Sequence, residues 1–535
     1  MKHLTASRSL ARLMLRRDRL RVAIWTALAV GLVWSSAVSV KGLYPTQSGR
    51  DQYAATVGGS PSSRVLGGPG YGVHTLGGIT VNESETTVLV LIAVFSCMLV
   101  VRHTRKEEET GRAELLAATV LGRHARLAAT LGVVAGIDVI MGAAIAGALI
   151  ATGLPVPGSL AYGAGVAAVG LFFAGVGAVT AQWAEHSRTA NGAALAVFGV
   201  AFGLRALGDS QTSGAAAELS WLSPIGWAQQ VRAYAGERWW TLALPVAGAL
   251  VLAAAAAGLS RRRDIGAGLR RPRRGPAVAG PRLSGPLGLA WRLQRGAFLA
   301  WTITAAVAGA VFGAIAGTVS TAVGRNSQAS DVLARLGGGG AVVDDYLAWV
   351  FGTAGAAAAV FAVLSVSRLR SEELDVHADP VLATAVTRSR WMGAHLVLAY
   401  AGMVLFLAVT GLAAGIAHGI GDHRPAHEVG RALAGALVQV PAAAVLAGIG
   451  IALFGLLPRF GAVVWVCLLG SVLLGQFGDL LRLSRGVMAV SPFSHVPRLP
   501  GGHVQALPLL ELGALAVATA VVGVAQFRRR DIVLH

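Results

Sequence analysis

Apolar runs of about 20 residues recur along the whole chain, and they limit its possible folds more than any other feature. A helix of that length crosses a hydrocarbon layer of roughly 30 Å and satisfies its own backbone hydrogen bonds on the way. Hydrophobic residues make up 54% of the 535 positions, whereas charged residues make up only 13%. The sequence therefore predicts an all-α integral membrane protein.

The apolar runs divide into two sets of six, which gives about twelve predicted transmembrane helices. In the first half they lie near 22–42, 84–101, 127–152, 159–183, 189–208 and 241–260. In the second half they lie near 297–319, 346–367, 394–417, 429–457, 461–477 and 506–526. With the N-terminus inside, most Lys and Arg residues fall in cytoplasmic segments, as the positive-inside rule requires. We therefore expect a multi-pass protein of the cell membrane with both termini cytoplasmic, and no nucleic-acid partner despite the net charge of +19.

Sequence markers recur in the same order at separations of roughly 266–276 residues, which indicates an internal duplication. The recurring pairs are Trp25–Thr26 with Trp301–Thr302, Gly203–Asp209 with Gly475–Asp479, Ser223–Pro224 with Ser491–Pro492, and Arg261–Ile265 with Arg528–Ile532. Because each half carries an even number of spans, we expect both copies to share one orientation, as two parallel six-helix repeats.

The duplication divides the chain into five predicted parts. They are a cytoplasmic interfacial helix at 1–21, the first transmembrane half at 22–263, a basic Pro/Gly-rich linker at 264–286, the second half with its own interfacial helix at 287–530, and a cytoplasmic tail at 531–535.

The sequence lacks the residues that nucleotide hydrolysis or a metal site would need. A phosphate-binding Walker A loop requires Gly-Lys-Ser/Thr, and none of the three lysines (Lys2, Lys41 and Lys106) is so placed. Cys97 and Cys467 both lie in apolar spans, so we expect neither a disulfide framework nor a metal site. We expect this chain to bind no cofactor, and ATP and Mg would belong to a partner.

A charged block from Arg102 to Arg126 follows the second predicted span, and a weaker copy from Arg368 to Arg390 takes the same position in the other half. On one α-helix parallel to the membrane, the first block would present a charged face over about two turns. Such charges are also typical of an ordinary solvated helix stabilised by i,i+4 pairs. Because the block recurs, we favour a pair of cytoplasmic helices on which soluble motor domains act.

The loop after the fifth span is rich in tryptophan and contains Ser223, Pro224 and Trp227. This composition is typical of a segment that dips back into the outer membrane interface, and an ordinary external loop with interfacial anchors is the alternative. The second half has Ser491 and Pro492 at the corresponding place. We expect these residues to belong to an outer gate.

Charged residues within spans are costly and are often functional. Asp138 in the third span is the clearest case; it would contact a cationic substrate, relay protons, or act as a hydrogen-bonded structural acid. Arg205 with Asp209, and Asp479, are expected near the outer ends of spans, where pairing or snorkelling suffices.

These features together resemble the ABC-2 type exporter permeases. Residues 107–116, 205–209 and 223–227 look more narrowly like the actinobacterial permeases that export polyketide antibiotics of the tetronasin type. In that family the loop between the second and third spans is a coupling helix that docks in a groove of the ATPase. The resemblance implies this role for Glu107, Glu108, Gly111, Arg112, Glu114, Glu372, Glu373, His377, Asp379 and Pro380.

The resemblance implies a permease subunit of an ABC exporter that moves hydrophobic or amphipathic, antibiotic-like or drug-like molecules out of the cell. Two copies of a separate ABC ATPase subunit would hydrolyse ATP, so the permease itself is not expected to be an enzyme. Its other partners would be membrane lipid and a lipophilic small-molecule substrate. The second copy of the block has Val376–His377 where the first has Gly111–Arg112, so unequal docking is expected. The alternatives are an ion-coupled secondary transporter, which would need several titratable groups deep in the spans, and a membrane scaffold or enzyme.

Overall fold

The computed structural model describes residues 7–55, 64–65, 67–117, 122, 124–210, 217–264, 266–269, 278, 280, 283, 285–323, 333–335, 337, 339, 341–421, 424–478 and 483–531. All regular secondary structure within these residues is helical, which confirms the predicted fold class. The chain folds into two compact units, Met1–Gly275 and Pro276–His535.

Unit 1 contains six long helices and several short ones among its described residues. Its α-helices are α1 (Ser7–Leu43), α2 (Gln47–Tyr53), α3 (Leu76–Val101), α4 (Arg112–Ala117), α5 (Ala125–Ala151), α6 (Val156–Trp183), α7 (Ser187–Ser210), α8 (Pro224–Gln229) and α9 (Ala243–Ser260). Two 3-10 segments, Ala217–Leu222 and Trp239–Leu242, flank α8.

Unit 2 follows the same order. Its described α-helices are α10 (Pro286–Val323), α11 (Val342–Leu374), α12 (Ala378–Leu382), α13 (Arg388–Gly421), α14 (Pro425–Leu437), α15 (Val440–Leu456), α16 (Val463–Phe477), α17 (Arg485–Met488) and α18 (Ala506–Arg529). Two 3-10 segments lie at Pro458–Phe460 and Pro492–His495.

In the described part of the chain, 11 helices are long and apolar enough to cross a membrane. The remaining predicted span, 461–477, is helical and apolar, but α16 has 15 residues. At 1.5 Å per residue such a helix reaches about 22 Å, which is less than the thickness of a hydrocarbon layer. The basic prelude and the first span form one continuous helix, α1, where the sequence suggested a separate interfacial helix at 1–21.

The core of each unit is built around its fourth long helix. In unit 1, α6 packs against α3, α5, α7 and α9. In unit 2 the corresponding helix is divided into α14 and α15, and α15 packs against α11, α16 and α18. Pro441 lies at the start of α15, where its missing N–H and its ring end the regular helix that precedes it.

Glycine allows α5 and α6 to approach closely. A Cβ added to Gly142 would lie 2.4 Å from the carbonyl oxygen of Gly163, and a Cβ added to Gly163 would lie 2.3 Å from the carbonyl oxygen of Gly142. Both distances are far below van der Waals contact. The small residues of this sequence therefore serve close helix packing, as is common in membrane proteins.

Candidate functional site

The first charged loop, residues 102–126, begins as a continuation of α3. A π-helical segment, Arg102–Lys106, and an α-helical turn, Glu107–Glu109, extend that helix. The extension ends near Gly111, whose φ of 70° lies in the left-handed region that glycine adopts readily. The short helix α4 follows. The prediction of one helix across this block is therefore wrong, because the chain turns at Gly111 between two helical pieces.

Glu108 lies buried at the base of this loop, with three arginines around its carboxylate. Arg105 Nη1 lies 3.0 Å from Glu108 Oε2, and Arg126 Nη2 donates to Oε1. Arg263, just after α9, donates to Oε2 and Oε1 at 2.8 and 2.9 Å. The N–H of Gly266 donates to Oε2 at 3.4 Å. We call this set of contacts the glutamate clamp; it joins the ends of α3, α5 and α9.

Arg105 connects the clamp to two further segments. Its Nε and Nη2 donate to the carbonyl oxygen of Ala181 at 2.9 and 2.6 Å. Its Nη1 and Nη2 each donate to the carbonyl oxygen of Ala267 at 3.2 Å. Buried charges are tolerated when ion pairs and hydrogen bonds of this kind satisfy them. The base of the loop is therefore a structural junction rather than a surface.

The other two acids of the block bind neighbouring helices. Glu107 accepts a hydrogen bond of 2.6 Å from Arg17 in α1. Glu109 accepts hydrogen bonds of 2.6 and 2.7 Å from the N–H and hydroxyl of Ser187, the first residue of α7. A carboxylate at a helix N-terminus also interacts favourably with the helix dipole.

Helix α1 contributes a second buried contact at this end of unit 1. Asp18 is buried; His103 Nε2 lies 2.5 Å from its Oδ2, and Arg102 Nε lies 3.3 Å from its Oδ1. Leu10 and Met14 continue the buried face of α1 at the helical spacing. These contacts explain why the basic prelude packs against unit 1.

The tip of the first charged loop is exposed. The Arg112 side chain is 55% exposed and lies 3.9 Å from Glu107. Glu114 is exposed, and Leu115 is 74% exposed. Of the predicted coupling residues in this loop, Arg112 and Glu114 are thus the charged ones that a partner protein can reach most freely, whereas Glu108 is enclosed.

The second charged loop, residues 368–390, contains a smaller version of the clamp. Glu373 is buried and contacts Arg370 at 3.0 Å and Arg530 at 2.7 Å. The Arg-x-x-Glu spacing is that of the first clamp, and Arg530 takes the place of Arg263 in the closing Arg-Arg-Arg-Asp motif. In each unit the fold thus brings two recurring sequence markers into contact.

The turn of the second loop has valine where the first has glycine. Val376 has a φ of 61°, close to the 70° of Gly111. A β-branched residue is rarely found in this region, and such a conformation costs on the order of 1–3 kcal/mol. The second loop therefore stores backbone strain that the first avoids.

The other predicted residues of the second loop lie around the short helix α12. His377 and Pro380 are exposed, and Asp379 is half-buried. Glu372 lies 3.6 Å from Arg368 and 3.7 Å from His377. The loop also exposes Leu374 and Asp375, which precede the turn.

The two Ser-Pro pairs form the same local structure. The hydroxyl of Ser223 accepts a hydrogen bond of 3.2 Å from the N–H of Ile225, and Ser491 accepts one of 3.2 Å from Phe493. Both serines are fully buried and precede a proline, so they act as N-caps of short helical segments. Pro224 and Pro492 occupy the first helical position, where a missing N–H costs nothing.

The tryptophan-rich segment, residues 217–242, is fastened to unit 1 by two aromatic side chains. The centre of the Trp227 ring lies 5.7 Å from that of Phe172 in α6, and Trp227 Nε1 donates to the carbonyl oxygen of Trp221 within the segment at 2.5 Å. The hydroxyl of Tyr234 lies 2.7 Å from that of Ser159, and burial raises the pKa of Tyr234 to about 12, so the phenol keeps its proton. Its ring covers Gly158 in α6: a Cβ added there would lie 2.2 Å from the ring.

Arg205 and Asp209 of α7 are both buried, and of the two expected arrangements, pairing or snorkelling, the structure has pairing. Arg205 Nη1 lies 3.6 Å from Asp209 Oδ2, and Ser220 donates to Asp209 Oδ1 at 2.8 Å. Arg205 also lies 4.7 Å from the centre of the Phe202 ring. Asp479 lies outside the described residues.

Asp138 is fully buried in the core of unit 1, between α3, α5 and α6. Ser96 donates to its Oδ1 at 2.8 Å, while its Oδ2 has no hydrogen-bond partner among the described residues. Its carboxyl group lies over Gly170, where a Cβ would be 2.7 Å from Asp138 Cγ. The site is enclosed by helices.

These observations define a class: a multi-pass integral membrane protein built from two repeated helical units, each with a clamped charged loop at one end. A family model described as the C-terminal domain of the multidrug efflux system permease Rv1217c matches residues 283–528. The chain is 41% identical over 529 residues to the multidrug efflux system permease protein Rv1217c of Mycobacterium tuberculosis, covering 99% of this chain and 95% of that protein. The chain belongs to the family of this permease.

Proposed function

We propose that this chain is the permease subunit of an ATP-driven exporter that moves hydrophobic or amphipathic, drug-like molecules out of the cell. Its relative in M. tuberculosis is named a multidrug efflux permease, which supports drug export as the activity. The absence of a Walker A sequence supports a separate subunit for ATP and Mg binding. Polyketide antibiotics are one cargo of this chemical class.

The first charged loop carries this proposal. Its base is fixed by the glutamate clamp, while its tip exposes Arg112, Glu114 and Leu115. A rigid base with an accessible tip can transmit a push from a docked protein to α3 and α5. We therefore assign ATPase docking to the tip, and we assign to Glu107 and Glu108 the support of the loop.

We propose that the two loops dock unequally. The first tip presents an arginine and a glutamate beside an exposed leucine. The second presents His377 and Pro380 on a strained turn and exposes Leu374 and Asp375 but no arginine beside them. Both loops and both chain termini would lie in the cytoplasm, as the distribution of Lys and Arg favours. The tryptophan-rich segment would then lie outside.

Co-purification tests the proposal. The permease is expressed with candidate ABC ATPase subunits from the same genome, solubilised with membrane lipid, and isolated through a tag on the permease. We expect the ATPase to be retained, and Arg112→Ala with Leu115→Ala to lower its retention about tenfold, the effect of losing roughly 1.4 kcal/mol of binding free energy. Arg262→Ala is the matched control, because Arg262 is an exposed arginine close in space to the clamp but outside the tip. Failure of the wild-type chain to retain any ATPase contradicts the proposal.

An ion-coupled secondary transporter is the second candidate, and Asp138 is the observation that favours it. A buried carboxyl group with an oxygen that lacks a partner is a reasonable proton carrier in a membrane. Its enclosure by α3, α5 and α6 speaks against an ion pathway. Transport that persists without ATP and stops when a protonophore collapses the proton gradient would favour this candidate.

A further inference from the structure

A polar recess lies at the end of unit 1 opposite the charged loop. Its walls come from the loop before α3, the first turns of α3 and the tryptophan-rich segment, and they enclose a small cavity of about 20 Å³. Glu85, Asn82, Gln229, Arg232 and Tyr71 line it.

Gln229 is the group that points to a ligand. It is 4% exposed, and neither its amide nitrogen nor its amide oxygen has a hydrogen-bond partner among the described residues. A buried amide without partners is costly, because its lost hydration is not replaced by hydrogen bonds. The chain makes room for this amide with Gly68, where a Cβ would lie 2.3 Å from Gln229 Nε2. A donor and an acceptor are therefore held side by side at the wall of the recess.

The recess is lined by charged side chains of both signs. Glu85 is 7% exposed and supplies a carboxyl group, while Arg232 lies at the wall with its guanidinium 4.3 Å from the centre of the Tyr71 ring. The nearby ion pair of Arg205 with Asp209 has no net charge, so it does not change the charge balance of the recess. This arrangement favours an uncharged head group that both donates and accepts hydrogen bonds.

Two polar residues that line the recess, Glu85 and Gln229, are not repeated at the corresponding positions of unit 2. Aligned on the two clamp glutamates, Glu85 corresponds to Val350, and aligned on the two capping serines, Gln229 corresponds to Pro497. Neither replacement can hydrogen-bond through its side chain. The duplicated halves have thus diverged at this point.

We propose that this recess binds the uncharged polar head of an exported amphiphile, such as a carboxamide or a hydroxyl group. The inference rests on the proposed export function and names a substrate preference within it. Gln229 would pair with the head group through both of its amide atoms. A site built to hydrogen-bond a polar group discriminates strongly against an analogue that lacks it, because its own buried groups are then left unpaired.

Two matched probes test the inference in the full permease–ATPase complex: a dansyl-labelled undecanamide and the corresponding methyl ester. We expect wild-type vesicles to transport the amide at least about tenfold faster than the ester at low concentration. Gln229→Leu should abolish this preference by slowing transport of the amide about tenfold. Gln229→Asn, which keeps an amide on a shorter side chain, should retain part of it and serves if the leucine variant fails to fold.

The outcomes separate the inference from the function on which it rests. If the wild-type complex transports neither probe nor any other amphiphile, the export function itself fails. If it transports both probes equally, or if Gln229→Leu keeps the preference, the recess is not the head-group site. A dansyl-labelled undecylamine that is preferred over the amide, with a preference lost in Glu85→Gln, would overturn the uncharged class in favour of a cation.

Discussion

Glu108 and Arg263 lie 155 positions apart in the chain, and two hydrogen bonds of 2.8 and 2.9 Å join their side chains. Glu373 and Arg530 form the corresponding contact in unit 2, at 2.7 Å. Each pair joins the helix that leads into a charged loop to the end of the last long helix of the same unit. A force on either loop therefore reaches two helices through one ion pair.

The clamp predicts that Glu108 supports folding more than docking. Removing one partner of a buried ion pair leaves the others uncompensated, so Glu108→Ala should lower the free energy of unfolding by about 3–5 kcal/mol. Glu114→Ala, on the exposed tip, should change it by less than about 0.5 kcal/mol. Thermal unfolding of the purified variants in detergent measures both. Equal stability of the two variants would show that the clamp has no structural role.

The strained turn of the second loop predicts a stabilising substitution. Val376→Gly should raise the free energy of unfolding of the protein by about 1 kcal/mol, because glycine adopts a positive φ without steric cost. The reciprocal change, Gly111→Val, should lower it by about the same amount. The same unfolding assay applies. A destabilising effect of Val376→Gly would mean that the turn is not strained in the folded protein.

The contact between Tyr234 and α6 predicts a rescue by a second substitution. Gly158→Ala should displace the tyrosine ring and lower the free energy of unfolding, measured by thermal unfolding in detergent, since the new Cβ would lie 2.2 Å from a ring carbon. Adding Tyr234→Ala to this variant should restore part of the lost stability, because the obstructing ring is gone. Gly136→Ala is the control, as a Cβ at Gly136 meets no atom within 4 Å. Additive effects of the two substitutions would argue against a direct contact.

Two substitutions of Asp138 distinguish a structural acid from one that carries protons during transport. Asp138→Asn keeps an acceptor for Ser96, so the variant should fold and transport within about twofold of wild type. Asp138→Leu leaves the Ser96 hydroxyl without its partner and should cost about 1–3 kcal/mol. Transport by the two variants, compared with their unfolding temperatures, distinguishes the structural role from the titrating role. A well-folded Asp138→Asn protein without transport would favour the ion-coupled alternative.

The sequence predicts the helical class, the order of spans and the duplication well, because apolar length and repeated markers are local signals. It does not predict which of the repeated sequence markers contact each other in the folded protein. Glu108 looked like a surface acid among other surface acids, and only the approach of α9 and α5 shows it to be buried. Tyr234 carried no signal at all, since its role depends on a glycine 76 positions earlier in α6 that faces it across space.

The boundaries of two elements differ from those that apolar length predicts. The apolar stretch at 461–477 is sufficient to suggest a span, yet α16 is shorter than the others because Pro458–Phe460 forms a separate 3-10 turn before it. The basic prelude suggested an independent interfacial helix, but its buried face of Leu10, Met14 and Asp18 keeps it continuous with the first span. A local turn sets the first boundary, and the packing of α1 sets the second.

ATP-dependent transport into inverted vesicles tests the central claim most directly. Vesicles carrying the permease with its ATPase are supplied with the dansyl-labelled undecanamide, and its uptake is followed with and without ATP. We predict uptake that requires ATP, that falls about tenfold in Arg112→Ala with Leu115→Ala, and that is unchanged in Arg262→Ala. Uptake that is independent of ATP, or that is equal in the loop-tip variant and wild type, would contradict the assignment of the first charged loop as the coupling site.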